Sequence, residues 1–331
     1  SVVRFIVEAA ADPAVVAIKM TLYRIGRPSA IADALLEAAR GGKAVTVFVE
    51  IKARFDEEVN VGWARLLEAA GGHVVRGIVG YKNHAKLALV VRRELAALRR
   101  YVHIGTGNYN SRSGEQYTDL SLFTSNDVIA GDAAALFNEL TGMSEPPRGA
   151  SRALLVAPAH LLPAMMQLIE REAAHARAGR AAGITAKLNG LSDPDIVRAL
   201  YAASRDGVEI DLVVRGICTL RPGVRGLSDR IRVVSIVGRL LEHSRVYRFA
   251  NGGDPKYVIG SADLRPRNLR RRVELLAPVT RVEDQRMLDD LLSRYVGDPT
   301  AWELGADGSY ARRPGAADAS TQEQLVRALS V

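Results

Sequence analysis

Cysteine occurs once in the 331 residues, at Cys218, so no intrachain disulfide can form and no cluster of Cys and His offers a structural zinc site. That usage fits a reducing, cytoplasmic setting. No apolar run approaches the roughly 20 residues a membrane-spanning helix needs, and the N-terminus lacks a secretory pattern. The chain therefore reads as soluble, which leaves peripheral attachment to a membrane open. Aromatic residues make up only 5% and form no recurring array, which argues against nucleic acid as a partner, because sequence-tolerant single-strand binding needs stacking platforms. Negative charge is also in deficit: 45 Lys and Arg face 37 Asp and Glu, a net charge of +8. Such an excess concentrates polyanionic ligands near the surface.

What is present is a duplication. The first copy reads His84-Ala85-Lys86 and runs on to Gly105-Thr106-Gly107-Asn108-Tyr109-Asn110; the second reads His243-Ser244-Arg245 and runs on to Gly260-Ser261-Ala262-Asp263. The histidines lie 159 residues apart and the following glycines 155 apart, so the internal spacing is kept. Upstream of each histidine the order strand, helix, glycine, strand recurs. In the first copy it is Val15 to Tyr23, Ala30 to Arg40, Gly41-Gly42 and Ala44 to Glu50; in the second, Gly183 to Leu188, Asp193 to Arg205, Gly207 and Val208 to Arg215. Lys19 and Lys187 are read as equivalent positions.

Short Val- and Ile-rich runs such as Val74 to Ile78, Leu87 to Val91 and Val233 to Val237 alternate with helical stretches such as Asp56 to Ala70, Asp127 to Thr141, Leu161 to Ala178 and Val282 to Tyr295. Apolar strands between helices imply sheets covered on both faces. The expectation is α/β, two tandem α/β/α sandwich domains with mixed sheets, residues 1–148 and 149–331, with the active site in the cleft between them. Ser144-Glu145-Pro146-Pro147-Arg148-Gly149 marks the seam, near Gly142 to Arg152. The chain opens inside an apparent helix, Ser1 to Ala11, so it is expected to be a piece of a longer protein.

Each half pairs an imidazole with a cation two residues on. A neutral imidazole is a competent nucleophile, and a fixed cation stabilises phosphoryl oxygens as charge shifts, so the pairing suits phosphoryl transfer. His84, Lys86, His243 and Arg245 are the catalytic candidates. The other histidines, His73, His103, His160 and His175, are read as structural. The Gly105–Asn110 turn is read as an N–H cradle for an anion and Gly252-Gly253 as a plain hairpin turn. Arg24, Arg54 and Arg215 sit at strand ends and Arg272 closes an arginine-rich stretch, where planar guanidinium forks could grip phosphates. Cys218 is read as buried and unreactive.

With these residues assembled, the chain resembles the C-terminal half of the bacterial polyphosphate kinases, whose two C-terminal domains are phospholipase D-like. The stretches that carry the resemblance are Ala17 to Arg24 (AIKMTLYR), Val49 to Glu58 (VEIKARFDEE), His84-Ala85-Lys86, His103 to Tyr109 (HIGTGNY), Tyr117-Thr118-Asp119, Val214 to Leu220 (VRGICTL), Leu241 to Tyr247 (LEHSRVY) and Gly260 to Asn268 (GSADLRPRN). It implies that His84 takes the γ-phosphoryl group of ATP as phosphohistidine and passes it reversibly to an inorganic polyphosphate chain, with ADP as the other product. It further implies His243 as acid/base partner or phosphate contact, and Tyr117, Arg215 and Arg272 as ATP or phosphate ligands. Arg24 and Arg54 match positions the family associates with Mg²⁺. A guanidinium has no lone pair for a hard cation, so they are read as phosphate ligands beside the metal. The full-length protein is expected to be a homo-oligomer. A phospholipase D motif would add an aspartate about five residues after Lys86, where Leu87 to Arg92 contains none. The alternatives are a phospholipase D-like phosphodiesterase or nuclease and a non-catalytic polyanion-binding module.

Overall fold

The computed structural model describes residues 2–22, 29–50, 57–78, 80–95, 97–142 and 151–329. The first half of the chain forms helices α1 (Val2–Ala11), α2 (Ala30–Arg40), α3 (Glu57–Ala69), α4 (Ser111–Gln116) and α5 (Asp127–Gly142). Its strands are β1 (Val15–Leu22), β2 (Ala44–Val49), β3 (His73–Arg76), β4 (Lys82–Asn83), β5 (Leu87–Glu94), β6 (Ala97–Gly105), β7 (Tyr117–Thr118), β8 (Ser121–Thr124) and β9 (Leu155–Ala157). The remainder forms α6 (Leu161–Arg177), α7 (Pro194–Arg205), α8 (Pro266–Arg270), α9 (Val282–Val296) and α10 (Thr321–Leu329). With them come β10 (Gly183–Leu188), β11 (Glu209–Val214), β12 (Ile231–Ser235), β13 (Leu241–Glu242), β14 (Val246–Phe249), β15 (Lys256–Gly260), β16 (Arg272–Pro278), β17 (Trp302–Leu304) and β18 (Tyr310–Arg312).

Two compact units result: Ser1–Leu161 with Arg270–Ala277, and Leu162–Leu269 with Pro278–Val331. Residues 143–150, which contain most of the expected seam, lie outside the described residues. In the first unit the sheet order is β3-β2-β1-β5-β6-β8, with β1, β2 and β3 parallel and the rest antiparallel. Alternation along the strands sends Ile18, Met20, Val47 and Val90 to one face, where they meet Ile6 of α1, Leu35 of α2 and Trp63 of α3. Phe48, Leu87, Leu89 and Val102 turn to the other face and meet Ile129, Leu136 and Phe137 of α5. Ser29 caps α2, its Oγ accepting from the Ala32 N–H at 3.3 Å. The same unit takes in β16, which runs parallel to β4 and antiparallel to β9.

The second unit repeats the plan. β10, β11 and β12 are parallel, β14 is antiparallel to β10, and β15 to β14. β17 and β18 extend the β12 edge. Tyr295 and Val296 of α9 pack on Val213 and Val234, and the intervening Leu212 and Val233 point to the opposite face. Asp193 caps α7, with Pro194 at its first position. The mixed α/β sandwich expected from the sequence is therefore formed twice. The lysine equivalence is not kept. Lys19 lies opposite Leu89 on β5, whereas Lys187 lies opposite Val246, the third residue after His243. The third residue after His84 is Leu87, whose N–H donates to Thr21 Oγ1 at 3.0 Å. Thr21, not Lys19, occupies the Lys187 position.

Candidate active site

His84 stands in the short connection from β4 to β5, held from every side. Its N–H donates to the Val273 carbonyl at 2.9 Å. The Glu50 carboxylate at the end of β2 accepts from the Asn83 N–H at 2.9 Å, and Asn83 Oδ1 accepts from the Ala85 N–H at 3.1 Å. Thr21 Oγ1 donates to the Ala85 carbonyl at 2.7 Å. The imidazole Nδ1 lies 2.9 Å from Oε2 of Glu274, a carboxylate with no exposed surface. A carboxylate can only accept, so Nδ1 carries the hydrogen, and in the neutral ring Nε2 then keeps the lone pair. The His84 ring itself is 12% exposed. Arg272, also on β16, approaches the other oxygen of Glu274 at 4.0 Å. Lys86 is buried and its ammonium turns back to donate to the His84 carbonyl.

In the glycine turn the N–H groups of Gly105, Thr106 and Asn110 donate to the carbonyls of Lys86, Leu120 and Asn108, and Thr106 Oγ1 donates to Asp119 at 2.6 Å. A Cβ on Gly107 would stand 2.1 Å from Asp119 Oδ2. Three of the turn's N–H groups are thus spent inside the protein, and the turn closes around the Asp119 carboxylate. His103 is buried, and its two ring nitrogens contact Tyr109 Oη and Ser121 Oγ, each at 2.9 Å. Burial pushes its pKa down to about 3. Tyr117 lies half-buried on β7, directly after α4. Arg24 and Arg54 lie outside the described residues.

In the second unit His243 is 8% exposed, and its carbonyl accepts from Asn189 Nδ2 at 3.0 Å and from Arg245 at 2.8 Å. The Arg245 guanidinium also comes within 3.4 Å of both ring nitrogens and is held by Asp263 at 3.1 Å. Asp263 accepts from the Asn189 N–H at 2.7 Å, and Asn189 Oδ1 accepts from Arg215 Nε at 3.0 Å. Arg215, at the end of β11, is thereby tied to the residue that holds the His243 backbone. Lys187 is buried and pairs with the buried Glu242 at 2.8 Å. Losing one partner of such a pair strands the other charge, typically at about 3–5 kcal/mol. Gly260 N donates to the Arg245 carbonyl at 3.4 Å, as Gly105 N does to Lys86 at 3.0 Å, so the repeat extends to single hydrogen bonds. Cys218 is half-buried rather than buried as read, and that partial burial still raises its thiol pKa, which keeps it protonated.

Sequence reasoning did not single out Glu274, Glu242, Thr21, Asn189 or Asp263 as parts of the site. A signal existed for Glu274, a lone charge inside the apolar strand Val273-Glu274-Leu275-Leu276-Ala277; a buried carboxylate needs a partner.

Two mixed α/β sandwiches, each placing a histidine and a cation just before the strand antiparallel to its first strand, define a duplicated phospholipase D-like fold. The chain belongs to the polyphosphate kinase family: residues 1–146 match Polyphosphate kinase C-terminal domain 1, and residues 154–324 match Polyphosphate kinase C-terminal domain 2. It is 52% identical to a polyphosphate kinase of Thermosynechococcus vestitus over 330 residues, covering 98% of this chain and 45% of that protein. Against a polyphosphate kinase of Xylella fastidiosa it is 55% identical over 305 residues, covering 92% and 43%. The crystal structure of polyphosphate kinase from Porphyromonas gingivalis superposes with a TM-score of 0.90 at 36% identity, covering 99% of this chain and 50% of that one. A phosphatidylserine synthase of Haemophilus influenzae shares the fold alone, with a TM-score of 0.57 at 11% identity, covering 88% and 83%. The chain thus spans about half the length of the polyphosphate kinases it matches.

Proposed function

We propose that this chain carries the phosphoryl-transfer centre of a polyphosphate kinase, moving the γ-phosphoryl group of ATP reversibly through His84 to the end of an inorganic polyphosphate chain. The observation that carries the reading is the contact between His84 Nδ1 and Glu274. With the hydrogen on Nδ1, the Nε2 lone pair attacks the γ-phosphorus, the bond to the β-phosphate oxygen breaks, and ADP leaves. The phosphorylated ring then carries positive charge, which the Glu274 carboxylate balances. In the second step a terminal polyphosphate oxygen attacks phosphorus, the P–N bond breaks, and the ring returns to its starting state.

Arg272, beside Glu274, and Arg215 are the described arginines assigned to phosphate oxygens, with Arg24 and Arg54 assigned by the family resemblance. Tyr117 is assigned to the nucleotide, and His243 to acid/base work or phosphate contact. Lys86 and Arg245 act as positioning cations, since both donate to the backbone carbonyl of their histidine. Among the described residues no group of three His, Cys, Asp or Glu could hold a metal ion. Mg²⁺ enters with the substrate, bound to ATP oxygens. Among the described residues no helix is long and apolar enough to cross a membrane, and a cytoplasmic site of action is part of the proposal.

The test is incubation with γ-labelled ATP and Mg²⁺, followed by mapping of acid-labile, alkali-stable phosphate. Label on His84, absent from His84→Ala, is expected. Label that persists in His84→Ala would overturn the assignment. Labelling from polyphosphate but not from ATP would confine the defect to nucleotide binding.

A further inference from the structure

Gln322, near the start of α10, lies 79 residues beyond His243 in sequence, yet its side chain is 2% exposed and fully engaged. Its Oε1 accepts from the Leu240 N–H at 2.9 Å, and its Nε2 donates to the Leu240 carbonyl at 2.8 Å and to Glu242 Oε1 at 2.7 Å. One amide thus satisfies both backbone groups of Leu240 and one oxygen of Glu242. The approach is close enough that a Cβ on Gly238 would stand 2.5 Å from Gln322 Oε1. Glu242 Oε2 in turn meets the Lys187 ammonium at 2.8 Å, and the same ammonium donates to Ser244 Oγ at 2.7 Å. Glu242 and Ser244 are the residues on either side of His243.

We infer that Gln322 is a positioning residue for His243, acting through Glu242 and Lys187, so that α10 belongs to the scaffold of this half-site. The inference rests on the reading of His243 as a working residue of the phosphoryl-transfer centre. Its physical basis is that a chain of saturated buried hydrogen bonds has one good arrangement. An amide presents both a donor and an acceptor to the segment before His243, and no apolar or anionic side chain can do both. α10 has its own anchors: the Thr321 N–H donates to Asp298 at 2.7 Å and Thr321 Oγ1 to the Arg294 carbonyl at 2.9 Å. A change at Gln322 therefore loosens the contact to Leu240 and Glu242 without releasing the helix.

The experiment measures modification of each histidine by diethyl pyrocarbonate, resolved by mass spectrometry, in the wild type, Gln322→Leu and Gln322→Glu. Thermal melts confirm folding. In Gln322→Leu, His243 is expected to react at least about fivefold faster than in the wild type, with His84 unchanged. In Gln322→Glu the carboxylate faces Glu242. Its excess reactivity over the wild type is expected at pH 8 and to shrink toward pH 5, where a protonated carboxyl can donate as the amide did. A role confined to stability would not produce that pH-dependent rescue. Turnover with ATP, where present, is expected to fall about tenfold in Gln322→Leu with KM within twofold. Wild-type rates at His243 in both folded variants overturn the inference, and if Gln322→Leu does not fold, Gln322→Glu alone decides. Absence of phosphoryl transfer in the wild type would count against the enzymatic reading and leave the histidine measurement to judge the coupling.

Discussion

Glu274 sits 190 residues from His84 along the chain and touches it through a single hydrogen bond, so its role divides cleanly into charge and geometry. A glutamine there can turn its amide oxygen to the Nδ1 hydrogen and keep the ring oriented, but it offers no charge to balance the phosphorylated imidazole. Glu274→Gln is expected to slow labelling of His84 about tenfold and Glu274→Ala by roughly 10²-fold or more, read by rapid-quench labelling. Equal rates in the glutamine variant and the wild type would reduce the carboxylate to an orienting group. His103 supplies a second test at this scale. Burial lowers its pKa to about 3 from the ordinary histidine value of 6.5, so between those values the unfolded chain binds more protons than the folded one. Stability therefore rises with pH through that window and falls as acid is added, by at most about 1.4 kcal/mol per pH unit from this group. Denaturant unfolding between pH 6.5 and 5 is expected to show this slope, and His103→Gln to flatten it.

At the scale of elements, the turn from Gly105 to Asn110 is legible while its hydrogen bonds are not. Its position after a strand is plain in the sequence; that the N–H groups of Gly105 and Thr106 are spent inside the protein is not, because their acceptors on Lys86 and Leu120 come from other parts of the chain. Gly107→Ala must displace the Asp119 carboxylate and break its bond to Thr106. A loss of about 1–3 kcal/mol is expected, seen as a fall in Tm of roughly 2–10 °C. No change in Tm would mean that the loop moves aside freely. The bounds of α2, β2, β10, α6 and α9 follow closely from hydrophobic period and cap residues, which are local properties. The assignment of β16 to the first unit is not local. Nothing in Arg272–Pro278 names β4 and β9 as partners, so neither the partner of Glu274 nor the setting of Arg272 was legible. The false Lys19–Lys187 match has a related cause: each strand carries Lys as its fifth residue, but β1 runs two residues longer than β10, and only the ladder register separates the two positions.

For the whole molecule, the net charge of +8 must be weighed against where the cations are. Lys187 and Arg245 are buried and paired with Glu242 and Asp263, so they hold backbone in place and add little to the external field. Many surface arginines are likewise matched, as Arg40 is with Glu37 and Arg232 with Asp211. The attraction for a polyanion then comes from the unmatched surface excess, which acts through solvent and is screened over about 10 Å at 0.1 M salt. In the proposed transfer, chemistry at His84 relies instead on the Glu274 contact, which is largely shielded from solvent and is screened far less. Raising NaCl from 50 to 500 mM is thus expected to weaken binding of long-chain polyphosphate at least about tenfold, followed by fluorescence anisotropy of an end-labelled chain. The single-turnover rate of His84 phosphorylation at saturating ATP should change less than about twofold over the same range. A salt-insensitive affinity would place polyphosphate recognition in the buried half-sites alone, and a rate that falls in step with affinity would mean that surface charge takes part in the transfer itself.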